Sequence, residues 1–175
     1  MIGQFVKSDY CMNHCRLCCR FSQPQSVWSP ALLDSEIREL TCQGVPPSAI
    51  TADKKIRLIP LGEDRQDLPL HVGAIFACPF LGKDDNKCKI YPRRPLECQL
   101  YPFLINSRDK KVYLSADPGC PYVKESLGGE EFKKYSQGLY QLLSRTDFLK
   151  AVKDNPQIVQ VYEDALDLFE LKHAA

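Results

Sequence analysis

The residues of this 175-residue chain that could do chemistry are its nine cysteines. Four form a tight group with the spacing C-x3-C-x2-C-C, the first cysteine group: Cys11, Cys15, Cys18 and Cys19. Four more are widely spaced and form the second cysteine group: Cys78, Cys88, Cys98 and Cys120. The ninth, Cys42, stands alone in DSEIRELTCQG, a segment with a helical pattern. We therefore expect Cys42 to be a small buried apolar residue rather than a ligand.

Thiolates are soft anionic ligands, so the two groups suit Zn²⁺ or an iron–sulfur centre far better than Mg²⁺ or Ca²⁺. Neighbouring side chains tend to diverge, so Cys18 and Cys19 are expected to serve separate sites or different metals of one cluster. How the eight cysteines divide between sites stays open. Eight thiolates with an adjacent pair fit an iron–sulfur cluster at least as well as two zinc sites, and we prefer the cluster. His14, inside the first cysteine group, is an alternative ligand.

The amino terminus, MIGQFVKSDYC, has no basic segment followed by an apolar core, so it does not resemble a secretory signal. In the cytosol the thiol pool keeps cysteines reduced, and an odd number of cysteines leaves one outside any disulfide scheme. We therefore expect a cytoplasmic protein with a metal or redox site rather than a disulfide framework.

The overall composition excludes several classes of protein. Apolar residues make up 44% and charged residues 26%, as in an ordinary globular chain. The net charge of +1 argues against binding to nucleic acid or to an anionic membrane. No P-loop, dinucleotide-binding glycine pattern, nucleophile elbow or H-E-x-x-H motif is present, so any catalytic residues stay unknown.

One spacing is shared with a catalytic superfamily. The first three cysteines have the C-x3-C-x2-C pattern of radical S-adenosylmethionine enzymes, and residues 128–130 (GGE) are similar to a motif found there. Those enzymes need a βα barrel, for which this chain is too short. Gly129 better fits a helix N-cap, because Glu130 and Glu131 would then meet the positive end of the helix dipole.

Cationic and aromatic side chains lie near both cysteine groups in the sequence. Two four-thiolate sites would carry a charge of about −4, which cations and hydrogen bonds around the sulfurs would have to offset. The candidates are Arg16, Arg20, Tyr91, Arg93, Arg94 and Tyr101. A solvated basic patch is the alternative interpretation of the cations, and shielding of the centre is the expected role of the tyrosines.

The elements that must position these residues are short. A helix is predicted over 34–43, ended by Gly44 and the pair Pro46–Pro47. Strands are predicted at 55–59, 70–76 and 111–115. The stretch 78–103 shows no sustained periodicity, but its turn signal GKDDNK predicts that Cys78 and Cys88 flank a hairpin-like loop.

The part of the chain after Cys120 contains no cysteine and has helical periodicity. A helix is predicted from Gly129 on, with apolar positions at Phe132, Leu139 and Leu143. A second helix is predicted to begin at 155–156 (NP) and to continue through 169. The two would pack as a pair against the cysteine-rich part.

The two cysteine segments resemble a known family. The matching stretches are CMNHCRLCC at 11–19 and CPFLGKDDNKCKIYPRRPLECQLYPF at 78–103, followed by Cys120. The sequence is similar, over roughly 8–122, to the YkgJ-type cysteine-cluster family, a zinc- or iron-chelating domain. The resemblance implies one metal centre with these ligands, Cys42 being excluded: Cys11, Cys15, Cys18, Cys19, Cys78, Cys88, Cys98 and Cys120. Flagellin lysine N-methylases, which are longer, share the pattern and raise methyl transfer as an alternative.

Together these patterns predict a single α+β domain over 1–175, with a metal-ordered cysteine part at 8–122 and a helical extension at 129–175. The expected function is cytoplasmic metal binding, with zinc or iron, as ion or 4Fe–4S cluster, as the partner. No nucleic acid or membrane partner is expected, and a protein partner stays open. The alternatives are a cluster-dependent enzyme, such as an S-adenosylmethionine-using protein lysine methyltransferase, and a zinc-scaffolded interaction module.

Overall fold

The computed structural model of the chain describes residues 2–7, 10, 18–61, 76–82, 84–85, 87–172 and 174. The chain divides into two compact units. The N-terminal unit is Ser8–Pro95, and the C-terminal unit combines Met1–Lys7 with Leu96–Ala175. Both helices and antiparallel sheets are present, which confirms the predicted α+β class.

A small antiparallel sheet forms the centre of the N-terminal unit. Its strands are β1 (Arg20–Phe21), β2 (Ile59–Pro60) and β3 (Phe76–Ala77), in the order β1-β3-β2. The sheet packs into an apolar core that also includes one thiol: Phe21, Leu32, Leu40, Ile56, Leu58 and Cys78. One cysteine of the second group is therefore part of the core of this unit.

Helix α1 (Asp34–Cys42) confirms the helix predicted over 34–43. It starts where the Leu33 N–H donates a 2.8 Å hydrogen bond to the Glu36 carboxylate, which satisfies one of the donors that a helix leaves open at its N-terminus. It ends before Gly44, whose φ of 85° is one that glycine adopts without steric cost. The buried face carries Leu40, whereas Cys42 is exposed. The expectation that Cys42 is buried was wrong, because the helical period places it away from that face.

The other predictions for the N-terminal unit are met only in part. Within 55–59, Lys55 and Ile56 form isolated bridges with Ala31 and Ile50, and the strand proper begins at Ile59. Of the strand predicted at 70–76, only Phe76 falls within the described residues, and it begins β3. Residues 70–75 lie outside them.

The predicted hairpin-like loop between Cys78 and Cys88 is confirmed. Leu81 and Cys88 form an antiparallel bridge. The Gly82 N–H donates to the Lys87 carbonyl at 2.7 Å, and the Lys89 N–H donates to the Phe80 carbonyl at 2.8 Å. Cys88 is thereby folded back beside the chain that carries Cys78. A 3₁₀ turn, Tyr91–Arg93, follows.

The C-terminal unit is built on a second antiparallel sheet. Its strands are β4 (Phe103–Arg108), β5 (Lys111–Ala116) and β6 (Leu166–Glu170), in the order β4-β5-β6. Strand β5 confirms the prediction at 111–115. The β4–β5 turn is closed by Asp109 and Lys110, both at positive φ, as a two-residue hairpin requires.

Helices α2 (Leu96–Leu100), α3 (Pro121–Ser126), α4 (Glu130–Leu143) and α5 (Thr146–Asp154) complete this unit. Helix α4 confirms the prediction, with Gly129 as its N-cap and Phe132, Leu139 and Leu143 buried. The helix predicted from 155 through 169 was wrong. Pro156–Ile158 forms only a 3₁₀ turn, and 166–170 is strand β6, because pairing with β5 overrides the helical spacing of its apolar residues.

The amino-terminal residues contribute to the core of the C-terminal unit. Phe5, only 5% exposed, meets four rings at centroid distances of 5.0–5.7 Å: Phe103, Tyr122, Phe132 and Tyr135. The Tyr135 hydroxyl also donates to the Gly3 carbonyl. Residues 2–7 are thus held in the C-terminal unit by aromatic packing and by this hydrogen bond.

Candidate metal centre

Strand pairing in the N-terminal unit brings two cysteines side by side. Cys19 immediately precedes β1, and Cys78 immediately follows β3. The Cys78 N–H donates to the Cys19 carbonyl at 3.0 Å, which extends the β1–β3 pairing by one step. One member of each cysteine group therefore lies at the same end of the β1–β3 strand pair. Cys18, one residue earlier in a turn, is exposed, whereas Cys19 is half-buried.

The turn after Cys78 brings backbone amides close to its thiol. The segment C-P-F-L bends back, with the Leu81 N–H donating to the Cys78 carbonyl at 3.1 Å. The amides of Phe80 and Leu81 oppose the rise in the pKa of the Cys78 thiol that burial causes. Cys78 itself is only 7% exposed. Hydrogen bonds from N–H groups favour the charged form of a ligand, because they place partial positive charge against the thiolate.

Cys88 has a similar local environment. It is half-buried, and the amide of Ile90, two residues on, opposes the rise in the pKa of Cys88 that burial causes. Its carbonyl accepts from the Tyr91 N–H at 3.2 Å. The positive charge of the Arg94 guanidinium also favours the charged form of the Cys88 thiol and so lowers its pKa. Cys78 and Cys88 thus share one local structure, a tight turn whose backbone amides favour the charged form of the thiol.

The electrostatics show that Cys19, Cys78 and Cys88 are neighbours. The pKa of Cys78 is raised to about 12, chiefly by burial, and the nearby Cys19 and Cys88 thiols contribute to the rise. Burial also raises the pKa of Cys88, against the opposing effects of the Ile90 N–H and Arg94. Adjacent thiolates in an apolar core repel one another, so a bound cation is the natural counter-charge for all three.

These three thiols are neighbours rather than a closed ligand set. Within the ranges that the structure describes, no three His, Cys, Asp or Glu side chains converge closely enough to hold a metal ion as they stand. None of the cysteines in those ranges is joined in a disulfide. The donor chemistry fits zinc or iron, since all three groups are soft sulfur donors and backbone amides favour the charged form of Cys78 and Cys88.

The other two cysteines of the second group lie in the C-terminal unit. Cys98 is half-buried on α2, and Cys120, 5% exposed, is the N-cap of α3. The loop before Cys120 is fixed by Asp117, which accepts from the Gly119 N–H at 2.7 Å and from the Tyr101 hydroxyl at 2.8 Å. The Cys120 N–H donates to the Asp117 carbonyl at 3.2 Å. Asp117 therefore sets the position of Cys120.

Several predicted site residues fall elsewhere. Cys11, Cys15, His14 and Arg16 lie outside the described residues. Arg20 is half-buried on β1. Tyr91 (44% exposed) and Arg93 are exposed, whereas Arg94 is half-buried.

Sequence reasoning did not identify Asp117 or the amide donors of residues 80, 81 and 90. The repeated pattern of a cysteine followed two residues later by Phe or Ile (C-P-F, C-K-I) is the signal that could have pointed to the amide donors. Asp117 carried a weaker signal, an aspartate two residues before a glycine in a turn.

Comparisons with known proteins agree with this chemistry. Residues 10–121 match the family CxxCxxCC, described as "Putative zinc- or iron-chelating domain". An uncharacterized protein of Methanocaldococcus jannaschii, MJ0661, is 38% identical over 63 residues. That match covers 36% of this chain and 28% of the relative, so the chain spans less than a third of that protein's length. No solved structure matches the chain. In the described ranges, the helices are too short or too polar to cross a membrane.

Proposed function

Because the chain belongs to the CxxCxxCC family of zinc- or iron-chelating domains, we propose that it holds its metal through cysteine thiolates in an eight-cysteine centre. The observation that carries this proposal is the placement of Cys19, Cys78 and Cys88 as neighbours in the N-terminal unit. The proposed ligands are Cys11, Cys15, Cys18, Cys19, Cys78, Cys88, Cys98 and Cys120. The other five cysteines, besides Cys19, Cys78 and Cys88, are included because of their positions in the cysteine pattern.

The surroundings of the three neighbouring thiols support metal binding over a purely structural role. A buried cysteine that acts as a small apolar residue has no need of amide donors at its sulfur. The amides of Phe80 and Leu81 favour the charged form of Cys78, and the amide of Ile90 favours that of Cys88. Both turns are closed by backbone hydrogen bonds. This is the arrangement expected when the sulfur carries negative charge and binds a cation.

The donor set fits both kinds of metal centre, because thiolates bind zinc and iron–sulfur clusters alike. We prefer an iron–sulfur cluster, since eight thiolates that include the adjacent Cys18 and Cys19 exceed what one zinc ion needs. A cytoplasmic location, where thiols stay reduced, is part of the same proposal.

The test is the content of iron, zinc and acid-labile sulfide per chain in protein purified without oxygen. We expect either iron with sulfide and a broad absorption band in the visible, or zinc without sulfide or colour. Cys78→Ser should lose most of the metal, because it removes a sulfur from the neighbouring three. Cys42→Ser is the matched control, since Cys42 is exposed on α1, and it should retain the full content. Equal metal content in the two variants would contradict the proposal.

A further inference from the structure

We infer that residues 2–7, the amino-terminal segment, are a positioning element of the proposed centre, because they tie the helix that carries Cys98 to the helix that begins after Cys120. The inference rests on the proposed function and goes beyond it, since the segment lies outside the range 10–121 that matches the family. All the contacts that carry it lie within the C-terminal unit.

The start of the amino-terminal segment is bound to helix α2. The Ile2 N–H donates to the side-chain oxygen of Gln99 at 3.2 Å. Gln99 directly follows Cys98, and both are half-buried on this helix. A helix of five residues depends on contacts with the rest of the protein for its stability. The bond to Ile2 therefore helps to fix where Cys98 lies.

The middle of the amino-terminal segment packs against helix α3. The Phe5 ring meets the Tyr122 ring edge-on, with the centroids 5.2 Å apart and the planes at 76°. This is one of the favoured geometries for a pair of aromatic rings. Tyr122 is the second residue of α3, and Cys120 is the N-cap of the same helix. A displacement of Phe5 would therefore act on the helix end that presents Cys120.

The amino-terminal segment is itself held in place by β4 and α4. The Phe5 ring meets three further rings at centroid distances of 5.0–5.7 Å: Phe103, Phe132 and Tyr135. The Tyr135 hydroxyl donates to the Gly3 carbonyl. Phe5 is 5% exposed and Val6 is 3% exposed. Such close packing leaves the segment little freedom to shift.

Two proposed ligands thus depend on one short stretch of chain. Three residue steps separate Ile2 from Phe5, a span of about 10 Å when the chain is extended. This stretch links the contact on α2 to the contact on α3. A metal binds thiolates at about 2.3 Å, and a site works only when its ligands are held to within about 0.5 Å. Loosening either contact should therefore weaken metal retention and change the coordination geometry.

The experiment uses the full-length chain with the metal it is purified with, challenged with EDTA at a temperature where circular dichroism shows every variant to be folded. Phe5→Ala removes the contact with α3, and Gln99→Leu removes the acceptor on α2. We expect each variant to lose its metal at about a tenfold lower chelator concentration, the lower end of the effect of removing a group that supports a metal ligand.

Each variant has a matched control in helix α4. Leu143→Ala also truncates a fully buried side chain of the C-terminal unit, so it reproduces a loss of stability without touching the amino-terminal segment. Gln141→Leu makes the same exchange as Gln99→Leu at an exposed position. Both controls should stay within about twofold of the parent protein in metal retention.

The spectrum of the bound metal separates positioning from a general loss of stability. In an iron–sulfur protein, the electron paramagnetic resonance spectrum of the reduced cluster should change in Phe5→Ala and Gln99→Leu but not in their controls. In a zinc protein, the thiolate-to-metal absorption band of the cobalt-substituted chain should change in the same two variants. A merely structural role would leave the spectrum of the metal-loaded fraction unchanged.

The outcomes that overturn the inference are distinct from those that overturn the proposed function. Equal retention in Phe5→Ala and Leu143→Ala, or an unchanged spectrum in Phe5→Ala, would overturn the inference. Parent-like retention in Gln99→Leu would also overturn it, and this variant decides alone if Phe5→Ala does not fold. Full metal retention in Cys120→Ser would refute the proposed ligand set itself. Loss of metal in Cys120→Ser without any effect of Phe5→Ala or Gln99→Leu would refute only the role of the amino-terminal segment.

Discussion

At the scale of single residues, Asp117 is the clearest case of a side chain that is not itself a proposed ligand but fixes the position of one, Cys120. Its two carboxylate oxygens accept from different parts of the C-terminal unit, the Tyr101 hydroxyl and the Gly119 N–H. Its carbonyl accepts from the Cys120 N–H. The loop that presents Cys120 is thus held at three points by one residue.

Asp117→Ala should destabilise the C-terminal unit by about 1–3 kcal/mol, because two donors lose a charged partner. Tyr101→Phe, which removes only one of the two bonds, should cost less than Asp117→Ala. Asp147→Ala is the control, since Asp147 pairs with Arg145 at the surface and should cost about 0–1 kcal/mol. Urea denaturation of the three variants checks this. A loss in Asp117→Ala no larger than in Asp147→Ala would show that these bonds contribute nothing.

At the scale of elements, strand β6 depends on a polar cluster in the C-terminal unit. Asp167 accepts hydrogen bonds from the buried Ser115 at 2.6 Å and from the buried Asn106 at 2.9 Å. It also pairs with Arg108 at 2.9 Å. These contacts join β6 to β5 and β4 at the point where the β5–β6 register shifts, between Leu114 and Ser115.

We expect Asp167→Ala to lower the free energy of unfolding by roughly 2–4 kcal/mol, because it leaves two buried side chains without their acceptor. Asp154→Ala, which breaks the exposed pair with Lys150, should cost about 0.3–0.5 kcal/mol. Chemical denaturation followed by circular dichroism measures both. Equal losses would mean that water replaces Asp167 at no cost and that β6 is held by its backbone bonds alone.

In helix α4, one substitution is expected to raise the stability of the protein. Gly138 is exposed in the middle of the helix, and nothing lies within 4 Å of the position that a Cβ would take. Gly138→Ala should therefore stabilise the C-terminal unit by about 0.5–1 kcal/mol through helix propensity. Thermal unfolding should show a higher midpoint. A lower midpoint would reveal a contact at this surface that the isolated chain does not show.

Sequence patterns predicted those elements whose stability is local. Helix α1, helix α4 and the loop between Cys78 and Cys88 each had a start or turn signal of their own, and each is confirmed. Strand β4 follows a proline-rich stretch and was missed, and β6 was predicted as a helix, because both depend on partners distant in sequence. The cysteine spacing predicted the chemistry, whereas the proximity of Cys19 to Cys78 depends on a long-range strand pair.

At the scale of the whole molecule, the two units are stabilised in different ways. The C-terminal unit has an aromatic core around Phe103 and Phe132, with a three-stranded sheet of five- and six-residue strands. The described strands of the N-terminal unit are two residues long, and a cysteine lies within its core. If the chain binds metal as proposed, the free energy of metal binding is part of the folding free energy of the N-terminal unit.

Chelation of the metal should therefore affect the two units unequally. We expect amide hydrogen exchange of the full chain to accelerate in β1, β3 and the loop between Cys78 and Cys88 when EDTA removes the metal. Protection in β4, β5 and α4 should persist. Unchanged exchange around Cys78 would mean that the metal is not structural. Equal acceleration everywhere would mean that the two units unfold together.

The attachment of residues 2–7 to the C-terminal unit has a consequence for the order of folding. Phe5 is separated from its partner rings at 103, 122, 132 and 135 by the entire sequence of the N-terminal unit, Ser8–Pro95. Packing Phe5 against these rings closes a long loop of chain, and the entropy lost on closing a loop rises with its length. In sequence the N-terminal unit is therefore an insertion within the C-terminal unit, and the contacts of Phe5 belong to the slow, non-local part of folding.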